Sequence, residues 1–341
     1  MSTVTKNKYV KYIENGKLTN KFVDNFFKTH LNINIVFDNN IKTISEKCLY
    51  YGYHYNDYIK NITFPNVEEI GSQGLLRCFS YSSLTNILNS FPVLTTVRNA
   101  GLSYCFHNCT SLTTAPTFAS VTTIERGGFS NCFNGCTSLT TAPSFASVTS
   151  VGDYGLQQCF SSCTSLTTAP TFASVTSVNY GVFDSCFRDC TSLTTPPTFP
   201  VLTTVGNYGF QSCFYNCTSL TTAPTFANLT NIAYQGFRAC FSNCTSLTTA
   251  PTFANLSSIG NQGLYYCFSG CTSLSSVSFP ALTSTSFGSY TNQFYAMLQG
   301  VTGCTVHFPS NLQSVIGSWS DVTNGFGGTN TTVLFDLPAT T

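Results

Sequence analysis

The chain has few charged side chains and no long apolar run. Only 8% of its 341 residues are Asp, Glu, Lys or Arg, and the formal net charge is +1. No general attraction to nucleic acid or to anionic lipid is therefore expected. No apolar run reaches the roughly 18 residues that a membrane span requires. The start, MSTVTKNKYVKYIENGKLTN, lacks the apolar core of a secretory signal, which predicts that ordinary secretion is not its route.

Basic residues become scarce after the first sixty positions. All nine lysines lie at or before Lys60, and the remainder is rich in Thr, Ser, Asn, Tyr and Phe. We expect hydroxyl and amide groups, rather than ions, to keep the later part in solution. The lysine-rich start is a candidate attachment segment.

Histidine is equally scarce, which argues against acid–base catalysis. The four histidines are His30, His54, His107 and His307, and only His54 has an acid close by, Asp57. We interpret that pair as a surface contact. Serine and threonine are abundant, yet a nucleophile needs an adjacent base. The sequence predicts a non-enzymatic protein with no cofactor and no metal.

What the chain does have is a tandem repeat. Eight cysteines recur at a constant interval of 27 residues, at positions 78, 105, 132, 159, 186, 213, 240 and 267. Self-similarity at this period is typical of a solenoid, in which each unit is one turn that cannot bury its apolar face alone. The question of function then becomes which face a partner contacts.

Each repeat has two halves with different periods. One half has apolar residues every third position, which predicts short extended segments bent at corners: Leu220, Ala223, Phe226, Leu229 and Ile232. The other half has intervals of 3, 1, 3 and 3, which predict a short helix: Phe210, Cys213, Phe214, Cys217 and Leu220. Gly209 precedes this half, and we expect it to free the backbone there.

The pieces SVTSVGDYGLQQCF, GFQSCFYNCTSL and FPNVEEIG resemble the BspA-type (Treponema-type) leucine-rich repeat, over about residues 41–300. The resemblance implies an α/β solenoid: a right-handed leucine-rich-repeat coil, here of about nine 27-residue turns with terminal caps. We expect an N-terminal cap or attachment segment over 1–40, with an amphipathic helix in KFVDNFFKTHL and a strand in INIVF. We also expect a C-terminal cap over 301–341, where the tail has strand, helix and strand signals. Phe-x-x-Cys occurs twice in succession here, and the four added residues predict a helix one turn longer than the family's.

The Cys-x3-Cys pairs allow three readings. Both positions face inward if the helix is present, and a free cysteine behaves as a small apolar residue. Ser82 stands where the copy opened by Cys78 would have its second cysteine, which favours packing over pairing. A disulfide and a metal site stay open as alternatives, although the spacing is unusual for zinc.

The copies differ from one another mainly around the glycine and between the cysteines. These positions form a variable strip: Glu125, Arg126, Asp153, Tyr154, Tyr180, Asp184, Arg188, Asp189, Tyr208, Tyr215, Tyr234, Arg238, Tyr265 and Tyr266. Tyr and Arg among small polar residues are typical of binding surfaces. Our candidate partner-binding residues are Tyr154, Tyr180, Arg188, Tyr208, Tyr215, Tyr234, Arg238, Tyr265 and Tyr266. Drift at exposed positions is the alternative.

The family resemblance implies recognition or adhesion. The sequence therefore predicts a protein or a glycan on a cell surface as partner, with oligomer formation through the N-terminal segment left open. A phage-encoded host-recognition protein fits the absent signal, and the expected location is a virion or a cell surface reached by a non-classical route, or else the cytoplasm. The alternatives are a structural spacer or assembly subunit and, as a minor one, binding of ice or a polysaccharide lattice by the threonine rows.

Overall fold

The structure is a computed structural model that describes residues 13–14, 17–18, 33–36, 39–55, 57, 59–87, 90–288 and 292–340. Two compact units divide the chain, one ending at Thr171 and the other beginning at Phe172. The helix predicted in KFVDNFFKTHL lies outside the described residues. The strand predicted in INIVF is confirmed as Ile33–Val36.

The first unit is a stack of short strands. In the residues described, its strands are β1 (Ile13–Glu14), β2 (Lys17–Leu18), β3 (Ile33–Val36), β4 (Thr43–Ile44), β5 (Ile59–Thr63), β6 (Glu69–Ile70), β7 (Thr96–Val97), β8 (Thr123–Ile124) and β9 (Ser150–Val151). The main sheet has the order β1-β2-β4-β6-β7-β8-β9, and β3 pairs with β5. Apart from the antiparallel pair β1–β2, these pairs are parallel.

The second unit continues the same construction and adds short helices. Its described strands and α-helices are β10 (Ser177–Val178), β11 (Thr204–Val205), β12 (Asn231–Ile232), β13 (Ser258–Ile259), β14 (Ser276–Ser278), β15 (Thr305–Pro309), α1 (Gln313–Ile316), α2 (Ser320–Thr323) and β16 (Thr332–Leu337). Its two sheets have the orders β10-β11-β12-β13 and β14-β15-β16. The strand, helix and strand signals predicted for the tail are present, whereas its role as a cap stays a prediction.

Equivalent residues of successive repeats lie side by side. Thr96 pairs with Thr123, and Val97 pairs with Ile124, which is the 27-residue interval seen in the sequence. The second residue of each repeat strand is buried, as Ile124 shows, because it points into the stack. The predicted solenoid with short extended segments is confirmed. About 11 turns are present along the chain rather than the nine predicted.

The half of each repeat that contains the cysteines is not a helix. Within the described part of residues 39–304 no helix is present. Alternate backbone N–H groups donate to the next turn, as Leu102 does to the carbonyl of Gly128 at 2.8 Å. The N–H groups between them donate three residues back, as Cys105 does to Leu102 at 3.1 Å. We call this stretch of tight turns the turn segment.

A left-handed residue recurs every fourth position of the turn segment. In one turn these residues are Ala100, Tyr104 and Asn108, with φ of 52°, 53° and 55°. Each four-residue step sends two side chains inward and the next two outward. The intervals 3, 1, 3 and 3 result from this four-residue period, which a sequence pattern cannot distinguish from the 3.6 of a helix. The second Phe-x-x-Cys therefore adds one such step, not a helical turn.

The lack of a side chain at Gly209 permits close packing and does not serve backbone freedom. Gly209 does not have a positive φ. A Cβ at Gly209 would lie 2.7 Å from Val205 Cγ1 and 2.9 Å from Val178 Cγ1. The glycine lets the turn segment pack directly on the valines of two strands.

Cysteine and phenylalanine fill the interior between the two halves. All 17 cysteines are among the described residues, and all are buried. The second thiol of the pair commonly donates to a phenylalanine carbonyl of the preceding turn, as Cys136 does to Phe106 at 3.0 Å. The structure thus favours packing over the disulfide and metal readings. Beside the thiols, phenyl rings stack turn on turn, with Phe106 and Phe133 centroids 5.3 Å apart.

Replacing Ala239 by glycine should stabilise the second unit. Ala239 has φ of 49°, and the left-handed region costs a residue with a Cβ about 1–2 kcal/mol, while glycine enters it freely. We expect Ala239→Gly to raise the urea midpoint by the equivalent of about 0.5–1 kcal/mol. The matched control is Ala233→Gly, since Ala233 is not a positive-φ residue. Its midpoint should fall, and a fall in both variants would contradict the assignment of strain.

Candidate functional site

The variable strip lies on the outward positions of the turn segment. Tyr154, Tyr208 and Tyr266 are themselves left-handed residues, with φ of 57°, 58° and 53°. Several other candidates directly precede such a residue, as Tyr215 precedes Asn216. The inward pair of each step is cysteine or another apolar residue, so the outward pair is where the copies can vary. The structure places the eight candidates of the second unit on that unit's turn segments and Tyr154 on a turn segment of the first.

Three tyrosines of the second unit form a continuous row of rings. The centroids of Tyr180 and Tyr208 are 5.2 Å apart, and those of Tyr208 and Tyr234 are 5.3 Å apart. Tyr180 is 40% exposed and Tyr234 is 36% exposed. Burial raises the pKa of Tyr208, and a hydrogen bond with the Tyr234 hydroxyl raises it further. The Tyr208 ring therefore stays neutral at physiological pH.

Arg188 and Tyr215 form the next part of the surface. The Arg188 guanidinium carbon lies 4.3 Å from the centroid of the Tyr215 ring, close enough for a cation–π interaction. Arg188 Nε also donates to Asp189 Oδ2 at 3.3 Å. Asn243 Nδ2 donates to the Tyr215 hydroxyl at 3.1 Å. These contacts hold the ring and the guanidinium in place.

The remaining candidates gather around a tyrosine that the sequence comparison missed. Arg238 lies 5.5 Å from the Tyr265 centroid. Tyr265 contacts Tyr266 at 4.4 Å and stacks on Tyr295 at 5.2 Å. Tyr295 is 47% exposed, and it lies beyond the regular copies, where comparing repeat with repeat has no counterpart. An aromatic residue just past the last regular repeat is the sequence signal that could have identified it.

Tyr154 lies in the first unit, beside a groove of about 510 Å³. The Arg126 guanidinium carbon is 6.0 Å from the Tyr154 ring centroid. The groove is lined by Asn99, Ala100, Ser103, Arg126, Gly127, Ser130, Tyr154 and Gln157. None of these eight residues carries a negative charge. Arg126 belongs to the variable strip, but it was not among our candidate residues.

A second aromatic cluster in the first unit was also missed. Tyr55 stacks on Tyr81 at 4.8 Å, and Arg77 lies 4.5 Å from the Tyr104 ring centroid. Burial lowers the pKa of His107, and the nearby Arg77 guanidinium lowers it further. Most of this cluster lies before the regular copies begin, so differences among those copies could not indicate it.

The contact predicted between His54 and Asp57 is replaced by two others. His54 Nδ1 lies 2.6 Å from Ser80 Oγ, and Asp57 accepts a hydrogen bond from Ser83 Oγ at 2.6 Å. Burial lowers the pKa of His54, with a further contribution from Arg77. Both contacts join neighbouring turns of the stack.

Glu125, another member of the variable strip, contacts a neighbouring turn. Arg98 Nη1 donates to Glu125 Oε1 at 2.8 Å, and Arg98 Nε donates to Glu69 Oε1 at 3.1 Å. One guanidinium thus joins three successive turns. The Glu125 carboxylate is therefore bound within the molecule, by Arg98 and by the backbone N–H of Asn99.

The threonine rows of the extended half also use their polar groups internally. Thr122 Oγ1 donates to the Thr95 carbonyl at 3.3 Å, and Thr149 Oγ1 donates to Thr122 at 3.3 Å. In the second unit Thr230 Oγ1 donates to Thr203 at 3.1 Å. The recurrence of threonine is therefore accounted for by hydrogen bonds between turns. Lattice binding by these rows stays a prediction.

Across the residues that the structure describes, no three His, Cys, Asp or Glu side chains lie together as a metal site would require. In the same part of the chain, no helix has the length and apolar character to cross a membrane.

Comparisons with known proteins agree with this architecture. The family model described as "BspA type Leucine rich repeat region (6 copies)" matches residues 20–158, 54–213 and 184–318. A comparison with curated proteins finds no match. The molecule is a leucine-rich-repeat solenoid, and the chain belongs to the BspA-type leucine-rich repeat family.

Two solved structures are similar over most of the chain. One is a leucine-rich cell surface protein from Faecalibacterium prausnitzii, 18% identical, covering 89% of this chain and 88% of its own, with a TM-score of 0.43. The other is a leucine-rich repeat protein from Bacteroides ovatus, 16% identical, covering 97% of both chains, with a TM-score of 0.38. Neither structure bears on whether this protein is encoded by a phage.

Proposed function

We propose that this protein recognises a partner, a protein or a glycan, through the outward residues of its turn segments. The observation that supports it is the row of exposed rings formed by Tyr180, Tyr208 and Tyr234. Tyrosine supplies a large contact area at a low entropic cost, since only two side-chain torsions must be ordered. A purely structural surface has no need of adjacent, partly exposed rings.

The location proposed is a cell surface, in keeping with what the Faecalibacterium relative is described as. The rigid stack of turns presents the rings in fixed positions, and a partner therefore pays little to order the binding surface. Arg188 and Arg238 lie over tyrosine rings and add directional donors beside them. Host recognition by a phage-encoded protein remains a narrower version of the same proposal.

Replacing Tyr208, Tyr215 and Tyr234 together by serine should abolish partner binding. The triple variant removes the ring row and the Arg188 platform, while each change lies on the surface and should cost about 0.5 kcal/mol or less in stability. Binding is measured by a screen of the purified protein against cells and immobilised glycans. Thermal unfolding should remain within a few degrees of the parent.

The matched control replaces Thr176, Thr203 and Thr230 by serine. These residues lie on the extended half of the same unit, and serine keeps the hydroxyl that donates to the preceding turn, as Thr230 does. Binding should be unchanged in the control. Equal binding by the parent and the tyrosine variant would mean that the strip has drifted without selection. The same control bears on lattice binding, because it removes methyl groups from the threonine rows, and thermal hysteresis would report that activity.

An assembly subunit is the second candidate, and one observation favours it. β16 is the outer strand of its sheet, and Leu334 on it is 37% exposed. An unpaired strand edge can pair with another chain. Deleting residues 1–40 separates this candidate further: loss of assembly with retained partner binding would identify the first segment as an attachment module.

A further inference from the structure

We propose that the groove beside Arg126 and Tyr154 is a binding site for an acidic sugar, a pyranose that carries a carboxylate. This inference deepens the proposed function by naming a ligand class for one part of the turn-segment surface. It depends on the first unit alone. The groove combines one cation, one aromatic ring and a set of neutral hydrogen-bonding groups.

The groove exists because two successive turns have small residues where other turns have large ones. The left-handed position that is Tyr154 in one turn is Gly127 and Ala100 in the two turns before it. A Cβ built on Gly127 would meet only Ser130 Cβ, at 3.9 Å. The space above Gly127 is therefore open, while Tyr154 and Arg126 stand at its side. Equivalent positions elsewhere have larger residues such as Gln73 and Gln235.

The positive charge in the groove is available to a ligand. Among the described residues, Arg126 has no ion pair, whereas Arg98, the residue before Asn99, is bound to Glu69 and Glu125. None of the groove residues is acidic. A guanidinium can bind a carboxylate through two parallel hydrogen bonds. The groove therefore favours a ligand with a single carboxylate at this point.

The remaining lining distinguishes a sugar from an acidic peptide. Asn99, Ser103, Ser130 and Gln157 contribute amide and hydroxyl groups, which match the many hydroxyls of a pyranose. Ala100 is the only aliphatic side chain present, which leaves little to hold the apolar side chains of a peptide. The Tyr154 ring can pack against the C–H face of a sugar. The volume, about 510 Å³, falls within the range of about 300–1,000 Å³ that is usual for small ligands.

The test compares binding of two matched probes by the intact protein. One probe is an oligosaccharide of uronic acid units, and the other is the same oligosaccharide with its carboxyl groups reduced to alcohols. Titration calorimetry is carried out in about 0.15 M salt, where exposed charges are screened beyond about 8 Å. The acidic probe should bind at least about tenfold more tightly, as expected for a charge-assisted hydrogen bond. Equal binding of both probes would overturn the proposal.

Two variants locate the binding in the groove. Arg126→Gln removes the charge and should lower affinity for the acidic probe about tenfold or more. Gly127→Gln fills the open space with the side chain that Gln73 and Gln235 have at the same left-handed position, and it should abolish binding without changing the charge. Lys42→Gln, which removes one positive charge from an exposed ion pair with Glu68 in the same unit, is the control and should bind as the parent does. Thermal unfolding verifies that each variant is folded.

Each outcome separates this inference from the proposed function. If a glutamate-rich peptide binds at the groove and the uronic oligosaccharide does not, the ligand class is wrong. If no acidic probe binds but the tyrosine triple variant still loses cell binding, the groove inference fails while the proposed function stands. If Arg126→Gln and Lys42→Gln weaken binding equally, the attraction is general and the groove is not the site.

Discussion

Raising the pH above 9 should unfold the protein within about one pH unit. Burial raises the pKa of Cys109 from 9.0 to about 11 and that of Cys48 to about 12. Burial raises the pKa of other thiols, such as Cys132 and Cys213, well above 9.0. These thiols stay protonated in the folded state and ionise in the unfolded chain.

The loss of stability above pH 9 follows from proton linkage. Below pH 9 both states hold the thiol protons, and stability does not change through these groups. Between the unfolded pKa and the raised folded pKa, each thiol lowers the free energy of unfolding by about 1.4 kcal/mol per pH unit. Because many thiols act together and domains are usually stable by only about 5–15 kcal/mol, unfolding is expected to be abrupt.

The measurement is urea unfolding at a series of pH values from 7 to 10.5. Replacing Cys213 and Cys240 by alanine should reduce the slope of stability against pH by about 2.8 kcal/mol per unit, twice the contribution of one thiol. The slope isolates ionisation from the packing loss that the same substitutions cause. A slope that does not change in the double variant would show that buried thiols are not the source. Thiol reagents should label the folded protein only slowly at pH 8, because the thiols are buried and protonated.

Replacing Phe214 by alanine should cost the second unit about 3–5 kcal/mol, the usual range for removing a buried phenyl ring. Phe214 has no exposed surface, and its ring stacks on Phe187 at 5.5 Å and on Phe241 at 5.3 Å. The substitution leaves a cavity with a ring on either side. The two neighbouring rings belong to the preceding and the following turn, so the substitution removes both stacked contacts.

Urea unfolding of the second unit measures this loss. Phe214→Leu is the matched control, since it keeps most of the volume but not the ring, and its cost should be about 1.5 kcal/mol. If the alanine variant loses less than the leucine variant, the ring row does not stabilise the stack. A change confined to one ring should leave the alkaline slope untouched, since no thiol is removed.

The architecture could be predicted because the 27-residue repeat is visible in the sequence itself. Residues 27 apart that share a type, such as Cys132 and Cys159, must occupy equivalent places in successive turns. The apolar residues at every third position were expected to point inward, and Leu220 and Phe226 are buried. The tyrosine strip followed from the same comparison, because positions that vary between copies cannot be the ones that pack.

The conformation of the turn segment could not be predicted in the same way. Intervals such as that from Phe210 to Cys213 suit a helix and a four-residue turn period equally. The choice depends on where the backbone N–H groups find acceptors. In a helix the acceptor lies four residues back, whereas Leu102 N–H donates to Gly128 in the next turn. No single repeat contains that information.

Sequence alone determined that 27-residue turns stack in register, which side chains line the interior and which outward positions vary. Tertiary structure alone decided that the cysteine half is a series of left-handed steps, because its hydrogen bonds run between turns. It also decided that Arg126 and Tyr154 border an open groove above Gly127, because that space depends on three consecutive turns lying side by side. The 27-residue period shows which residues recur from turn to turn, whereas contacts between turns form only when the turns are stacked.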